Sequence, residues 1–253
     1  SSEKALILDN SKNISGIENL SISGNIIVKN IIEGPQDKAL FYNTVTGEIT
    51  YDNSSVPFNL EDHMDISFAN VDISNNLTVD GASANFNMNT YDLDVDGTTS
   101  LTNSGTINLT SGTFDADGEI NNSAGTINIS AAGNLVLSNT VTDLGTVDFG
   151  SSSTVTYDQS GTQTIDNVTY NNLVIGGGNT KTAGNNLDVN GNLEVISSTT
   201  LDMNSTNDYA LTLDGNFTIT SGTFLAQQGN HGMKGNWSNS GTFTHGSGTV
   251  TVN

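Results

Sequence analysis

A short phrase returns about every twenty residues, and that spacing constrains the fold more than any other feature. Gly105-Thr106-Ile107-Asn108-Leu109 recurs as Gly125-Thr126-Ile127-Asn128-Ile129 and as Gly145-Thr146-Val147-Asp148-Phe149. Ser221-Gly222-Thr223-Phe224 returns as Ser240-Gly241-Thr242-Phe243. Gly191-Asn192-Leu193 returns as Gly215-Asn216-Phe217 and again as Gly235-Asn236-Trp237. A period of roughly 20–24 residues fits one circuit of a parallel β-helix, two or three short strands separated by turns. One circuit cannot bury its own apolar face, so circuits must stack to make a core. Residues two apart on a strand point the same way. Ile107 and Leu109, Ile127 and Ile129, and Val147 and Phe149 are therefore expected inward, with the threonines and asparagines between them outward. Propeller blades repeat at roughly 40 residues or more, and sandwiches do not repeat internally. The expected fold is an all-β solenoid, right-handed by the general preference of parallel crossovers.

The repeats begin near residue 66. Both prolines, Pro35 and Pro57, precede them. Short strands are expected over 5–9, 14–17 and 26–32, and a hairpin over 39–43 and 48–52 turning at Val45-Thr46-Gly47-Glu48. Residues 58–65 read as a polar connector with one helical turn. The chain thus divides into a β-rich docking or capping region over 1–60 and a solenoid over 61–253.

Charge narrows the function classes. Acidic residues number 27 against six basic ones, for a formal net charge of −21. The basic residues are all lysines: Lys4, Lys12, Lys29, Lys38, Lys181 and Lys234. A nucleic-acid binder needs clustered cations to displace condensed counterions, so nucleic acid is excluded as a partner. Charged residues make up only 13% of the chain, about half the usual share, so Asn, Ser, Thr and Gly must dress the surface. Cysteine is absent, which removes disulfides and thiolate chemistry. No apolar run approaches the ~20 residues of a membrane-spanning helix, and Ser1-Ser2-Glu3-Lys4 carries no apolar signal region.

The run Gly176-Gly177-Gly178-Asn179-Thr180-Lys181-Thr182, the run from Leu187 to Leu193, and the run from Gly241 to Val252 resemble repeats of large secreted bacterial surface proteins. Those are adhesin-like parallel β-helices. The opening, from Lys4 to Gly16, together with Ala39-Leu40-Phe41-Tyr42-Asn43, is similar to segments of virion tail-fibre proteins. The resemblance implies a rod and an extracellular or cell- or virion-surface location more than it implies an activity.

Among chemical motifs, Asp92-Leu93-Asp94-Val95-Asp96-Gly97 matches the start of a calcium loop. Asn103 stands where the bidentate glutamate belongs, which argues against an EF-hand. Asp115-Ala116-Asp117-Gly118 follows Asp94-Val95-Asp96-Gly97 by 21 residues. In-register circuits would set Asp94 beside Asp115 and Asp96 beside Asp117. Opposed like charges are unfavourable across a ladder, and Ca²⁺ held by these four carboxylates would relieve them. The alternative is a solvated acidic face with no cofactor. His63, His231 and His245 lack metal-ligand spacing and are expected in turns or on the surface. Trp237, standing where Leu193 and Phe217 stand in earlier copies, is expected to pack in the core.

Hydrolysis of a polysaccharide would need two carboxylates at roughly 5–10 Å, and abundant Asp and Glu make such a pair uninformative. The chain is therefore expected not to be an enzyme. The segment Thr249-Val250-Thr251-Val252 is β-prone with no cap after it, so either the chain is a fragment or that edge is expected to take another copy of the chain. Head-to-tail addition of this kind builds a homopolymer. The expected function is a structural subunit of an extracellular fibre, filament or surface adhesin. The alternatives are a virion fibre binding host surface glycans and, third, a polysaccharide-cleaving enzyme.

Overall fold

The computed structural model describes residues 58–67 and 69–253, together with the backbone of 41–42 and 49–50. The chain divides into two compact units, Ser1–Lys38 and Ala39–Asn253. The first lies outside the described residues, as do the strands expected over 5–9, 14–17 and 26–32.

From residue 58 onward the chain is a β-solenoid of about ten turns, with parallel strands and no helix among the described residues. Each circuit lays one strand on each of three faces. The first face is a single sheet of eleven strands, running from Phe41–Tyr42 and Ile49–Thr50 through Val71–Ile73 to Trp237–Asn239. Its first pair is the expected hairpin, with Phe41 opposite Thr50 and Tyr42 opposite Ile49. Ile49–Thr50 then joins Val71–Asp72 in parallel.

The twenty-residue phrase stacks as its spacing requires. Ile107 lies opposite Ile127, and Ile127 opposite Val147. Alternation places their side chains in one apolar column from Phe58 to Met233, with most members fully buried. Each aliphatic side chain moved out of water contributes about 1.5–3 kcal/mol, so the column accounts for most of the favourable side of folding. Outside it, asparagines form a second ladder at one corner. The N–H of Asn192 donates to Asn172 Oδ1, that of Asn216 to Asn192 Oδ1, and that of Asn236 to Asn216 Oδ1, each at 2.9 Å. Recurrent Gly-Asn pairs therefore have a bonding reason as well as a packing one, because a Cβ at Gly215 or Gly235 would meet the backbone of the circuit below.

Residues 58–65 differ from expectation. They form two strands, Phe58–Leu60 and His63–Asp65, rather than a helical turn. Phe58 and Leu60 are buried while Asn59 is exposed. That period of two, and pairing with Leu77–Asp80, override the polar composition of the segment.

The second and third faces each break once. Their first sheets end at Val141–Asp143 and Thr146–Phe149, and their next sheets begin at Gln163–Ile165 and Thr169–Tyr170. The circuit here is short: Thr154 pairs with Asn172, eighteen residues on. Its strands on the second and third faces, Gln163–Ile165 and Thr169–Tyr170, do not pair with the circuit below, and side chains bridge the gap. Asp166 Oδ2 accepts from the N–H of Leu144 at 2.7 Å. The Tyr157 and Tyr170 hydroxyls meet at 2.7 Å in the core, and Tyr170 donates to the Asp166 carbonyl at 2.9 Å. Lys181 is buried, its ammonium donating to the carbonyls of Gln159, Gly161 and Gly178. Val147 and Phe149 keep their expected inward phase yet stay half-buried, because no strand pairs with the far edge of theirs.

Candidate functional site

Two surfaces gather chemistry-bearing residues. The first is an acidic column on the eleven-stranded face. Strands Val71–Ile73, Leu93–Val95 and Thr113–Ala116 pair in parallel, with Asp72 opposite Asp94 and Asp94 opposite Asp115. Their apolar neighbours on each strand point into the core, so the carboxylates point out. Asp96 and Asp117 follow in the turns. Carboxylate oxygens of Asp94, Asp96 and Asp117 lie within 4.8 Å of one another, and all three residues are exposed. The column borders a shallow groove of about 420 Å³ lined by Asn70, Asp72, Asp92, Asp94, Thr113 and Asp115.

Burial, followed by the charges of Asp115, Asp117, Asp72 and Asp96, raises the Asp94 carboxyl to about 6. Asp115 is also raised, first by burial and then by Asp117 and Asp158. One of its oxygens, Oδ1, is buried without a hydrogen-bond partner. Asp115 therefore neighbours Asp94 as the spacing predicts, but it stands outside the group of three that could share one ion. Asp92, the first residue of the Asp-x-Asp-x-Asp run, is committed elsewhere. Its oxygens accept from Asn70 Nδ2 at 3.0 Å and from the N–H of Thr113 at 2.8 Å. Three carboxylate oxygens this close can hold one hard cation, which Ca²⁺ accepts at about 2.3–2.6 Å. Asp72 was missed at the sequence level; Val71-Asp72-Ile73 repeats the pattern of Leu93-Asp94-Val95 one circuit earlier.

The second surface is the last circuit. Val250–Val252 pairs with His231–Met233, while Thr249 gives its carbonyl to the N–H of His231 at 2.8 Å. With Trp237–Asn239 and Thr242–His245, this strand ends its sheet. Trp237 packs as expected in the phase of Leu193 and Phe217, stacking on Phe217 with ring centres 5.7 Å apart. Phe243 stacks likewise on Phe224 at 5.9 Å and meets Trp237 edge-on at 4.8 Å. Trp237, Phe243 and Val250 are only partly covered, Val252 is half exposed, and Trp237 Nε1 has no partner. Two aromatic columns thus run up to this circuit.

The histidines divide. His63 and His245 are exposed, and His63 Nε2 lies 3.0 Å from Asp65. His231 contradicts the surface expectation: it is 2% exposed and belongs to the core. The N–H of Leu211 donates to its Nδ1 at 3.1 Å, and its Nε2 donates to the Ala226 carbonyl at 2.6 Å. Both ring nitrogens are satisfied by backbone groups, which lets a polar ring occupy an inward position, and burial lowers its pKa. No family model matches the chain, and comparison with curated proteins and with solved structures finds no match.

Proposed function

We propose that this chain is a structural subunit of an extracellular fibre, filament or surface adhesin, acting by shape and contact rather than by catalysis. The observation that supports this reading is the parallel stacking itself, in which strands and aromatic rings repeat in register from circuit to circuit. Free strand edges are templates for added strands. Parallel stacking already repeats about ten times within the chain, so a further circuit from a second copy would meet the same chemistry. Such a contact is head to tail and propagates if it does not close. Kinship with secreted adhesin-like surface proteins belongs to the same proposal, as does Ca²⁺ at Asp94, Asp96 and Asp117 with Asp115 beside them.

The test is light scattering of the full chain across a concentration series, paired with electron microscopy. Mass that grows with concentration and fields of filaments are expected. A monodisperse monomer at high protein concentration overturns the proposal.

A further inference from the structure

Beyond the break, the outer side of the second face is a two-row array of threonines. Its strands stack in the order Gln163–Ile165, Thr180–Ala183, Thr200–Asp202, Thr223–Gln227 and Thr242–His245. One row runs Thr180, Thr200, Thr223, Thr242, each opposite the next. Gln163 pairs with Lys181, so Thr162 heads the same row. The second row, two residues further along each strand, runs Thr164, Thr182, Asp202, Leu225, Thr244. Lys181, Leu201 and Phe224, which stand between the rows, are buried, so alternation turns both rows outward.

Geometry and bonding set this array apart from the other outward rows. Its pairing is unshifted from Gln163–Ile165 to Leu225. Neighbours within a row are roughly 4.7–4.9 Å apart, and the two rows about 6.6 Å apart. Threonine is stiff at χ1, so hydroxyls and methyls are held in place before anything binds. The row threonines are exposed or half-buried. Among the described residues, none of their hydroxyls is spent on a bond within the chain or sealed from solvent. The third face differs: Asn108 spends its amide on Asn85 and Asn87, and Asp65 and Asp148 charge the ends of that row. The first face carries the acidic column instead.

A rigid grid of small groups that each donate and accept matches a lattice of water. Every molecule in ice donates and accepts, as each threonine hydroxyl does, and oxygens on a prism face of hexagonal ice repeat at comparable intervals in two perpendicular directions. The methyl groups beside the hydroxyls already restrict their first-shell water, so locking that water into a lattice costs less order than it would over a mobile surface. A polysaccharide sheet fits less well, because no aromatic ring stands among the outward positions to stack on a sugar. We propose that this face binds ice, through the row from Thr162 to Thr242 and the row beside it. Asp202 is the one ionised group in the array, and its Oδ1 is engaged by the N–H of Asn204 at 2.9 Å and by Gln227 Nε2 at 2.7 Å. The face is complete in a single copy, so the inference stands apart from polymerisation.

The test grows ice slowly from a stirred solution of the full chain, with serum albumin as the reference, and compares protein in the ice with protein left in the liquid. Microscopy of single ice crystals held just below melting reads their shape. The chain should be enriched in the ice over albumin, and the crystals should be faceted rather than round. Thr200→Lys, at the centre of the array, sets a long cation among the threonines and should abolish the enrichment, as should Thr223→Lys. Both positions face outward, so the melting temperature should hold. Thr126→Lys, outward on the third face, should leave enrichment at the parent level. Round crystals with albumin-level inclusion overturn the proposal. So does enrichment that survives both Thr200→Lys and Thr223→Lys, or that Thr126→Lys removes equally. Retention on microcrystalline cellulose as strong as that in ice would make the face a general hydroxyl surface and also overturn it.

Discussion

At the scale of single residues, two titrating groups pull stability in opposite directions with pH. Burial lowers the folded-state pKa of His231 below its ordinary value of 6.5. Between the two pKa values the unfolded chain binds more protons, so stability falls as pH drops through and below 6.5. Protonation would also place a proton on Nδ1, the acceptor of the Leu211 N–H. Hydrogen exchange at the Leu211 amide should therefore quicken from pH 7 to pH 5 beyond the intrinsic pH effect, and His231→Gln should flatten that dependence. Asp94 has the opposite sign. Its folded pKa of about 6 lies above the ordinary 3.8, so the folded chain binds more protons and loses stability as pH rises through that window. Asp94→Asn should raise the melting temperature at pH 7 by an effect of roughly 1 kcal/mol or less, because solvent screens so exposed a group. Added Ca²⁺ should stabilise the parent chain and do so less in the variant; equal stabilisation of both would remove the ion from this site. The sequence announced the acidic pairing through two Asp-x-Asp-Gly phrases 21 residues apart. It did not announce His231, because nothing in His231-Gly232-Met233 tells an inward ring from an outward one until the register with Leu211–Leu213 is known.

At the scale of strands and corners, the limit on each circuit is how closely backbones approach. A Cβ added at Gly215 would lie 2.2 Å from the carbonyl oxygen of Gly191, one circuit below. The same addition at Gly232 meets nothing within 4 Å. Gly215→Ala should therefore destabilise by about 1–3 kcal/mol, the usual range for forced overpacking, while Gly232→Ala should stay within about 0.5 kcal/mol as a surface change does. Denaturant melts of the two variants check this, and equal effects would mean the corner is not close-packed. The repeating strands were legible because a period of two sits inside a period of twenty. The strands at Phe58–Leu60 and His63–Asp65 were not. Each is three residues long, too short for alternation to outweigh the acidic, proline-flanked composition around it. The seam was hidden for a related reason. Gly145-Thr146-Val147-Asp148-Phe149 follows the repeat faithfully, and only the short circuit after it denies that strand a partner.

For the molecule as a whole, charge and edge geometry oppose each other. Each copy carries a formal net charge of −21, so subunits repel at low ionic strength and salt screens them within about 10 Å at 0.1 M. The proposed self-association should therefore strengthen from low to moderate salt. Thr249 and Asn253 direct their backbone bonds at His231–Met233, so alternation turns the N–H groups of Val250 and Val252 toward the open side. Val252→Pro removes an outward donor while sparing the internal ladder. It should shorten or abolish polymers by light scattering and leave the melting temperature of the monomer unchanged; polymers of parent length would place the joint elsewhere.

The uneven continuity of the three faces has a mechanical consequence. One wall runs unbroken through eleven strands, whereas its two companions are each interrupted at the same level, between Val141–Asp143 and Gln163–Ile165 and between Thr146–Phe149 and Thr169–Tyr170. A beam with one intact flange and two notched ones flexes at the notch. Tension along the axis is borne by the intact wall, and bending opens the tyrosine-filled gap on the opposite side. A fibre of such beams would owe its compliance to one point per subunit, and its stiffness to everything else.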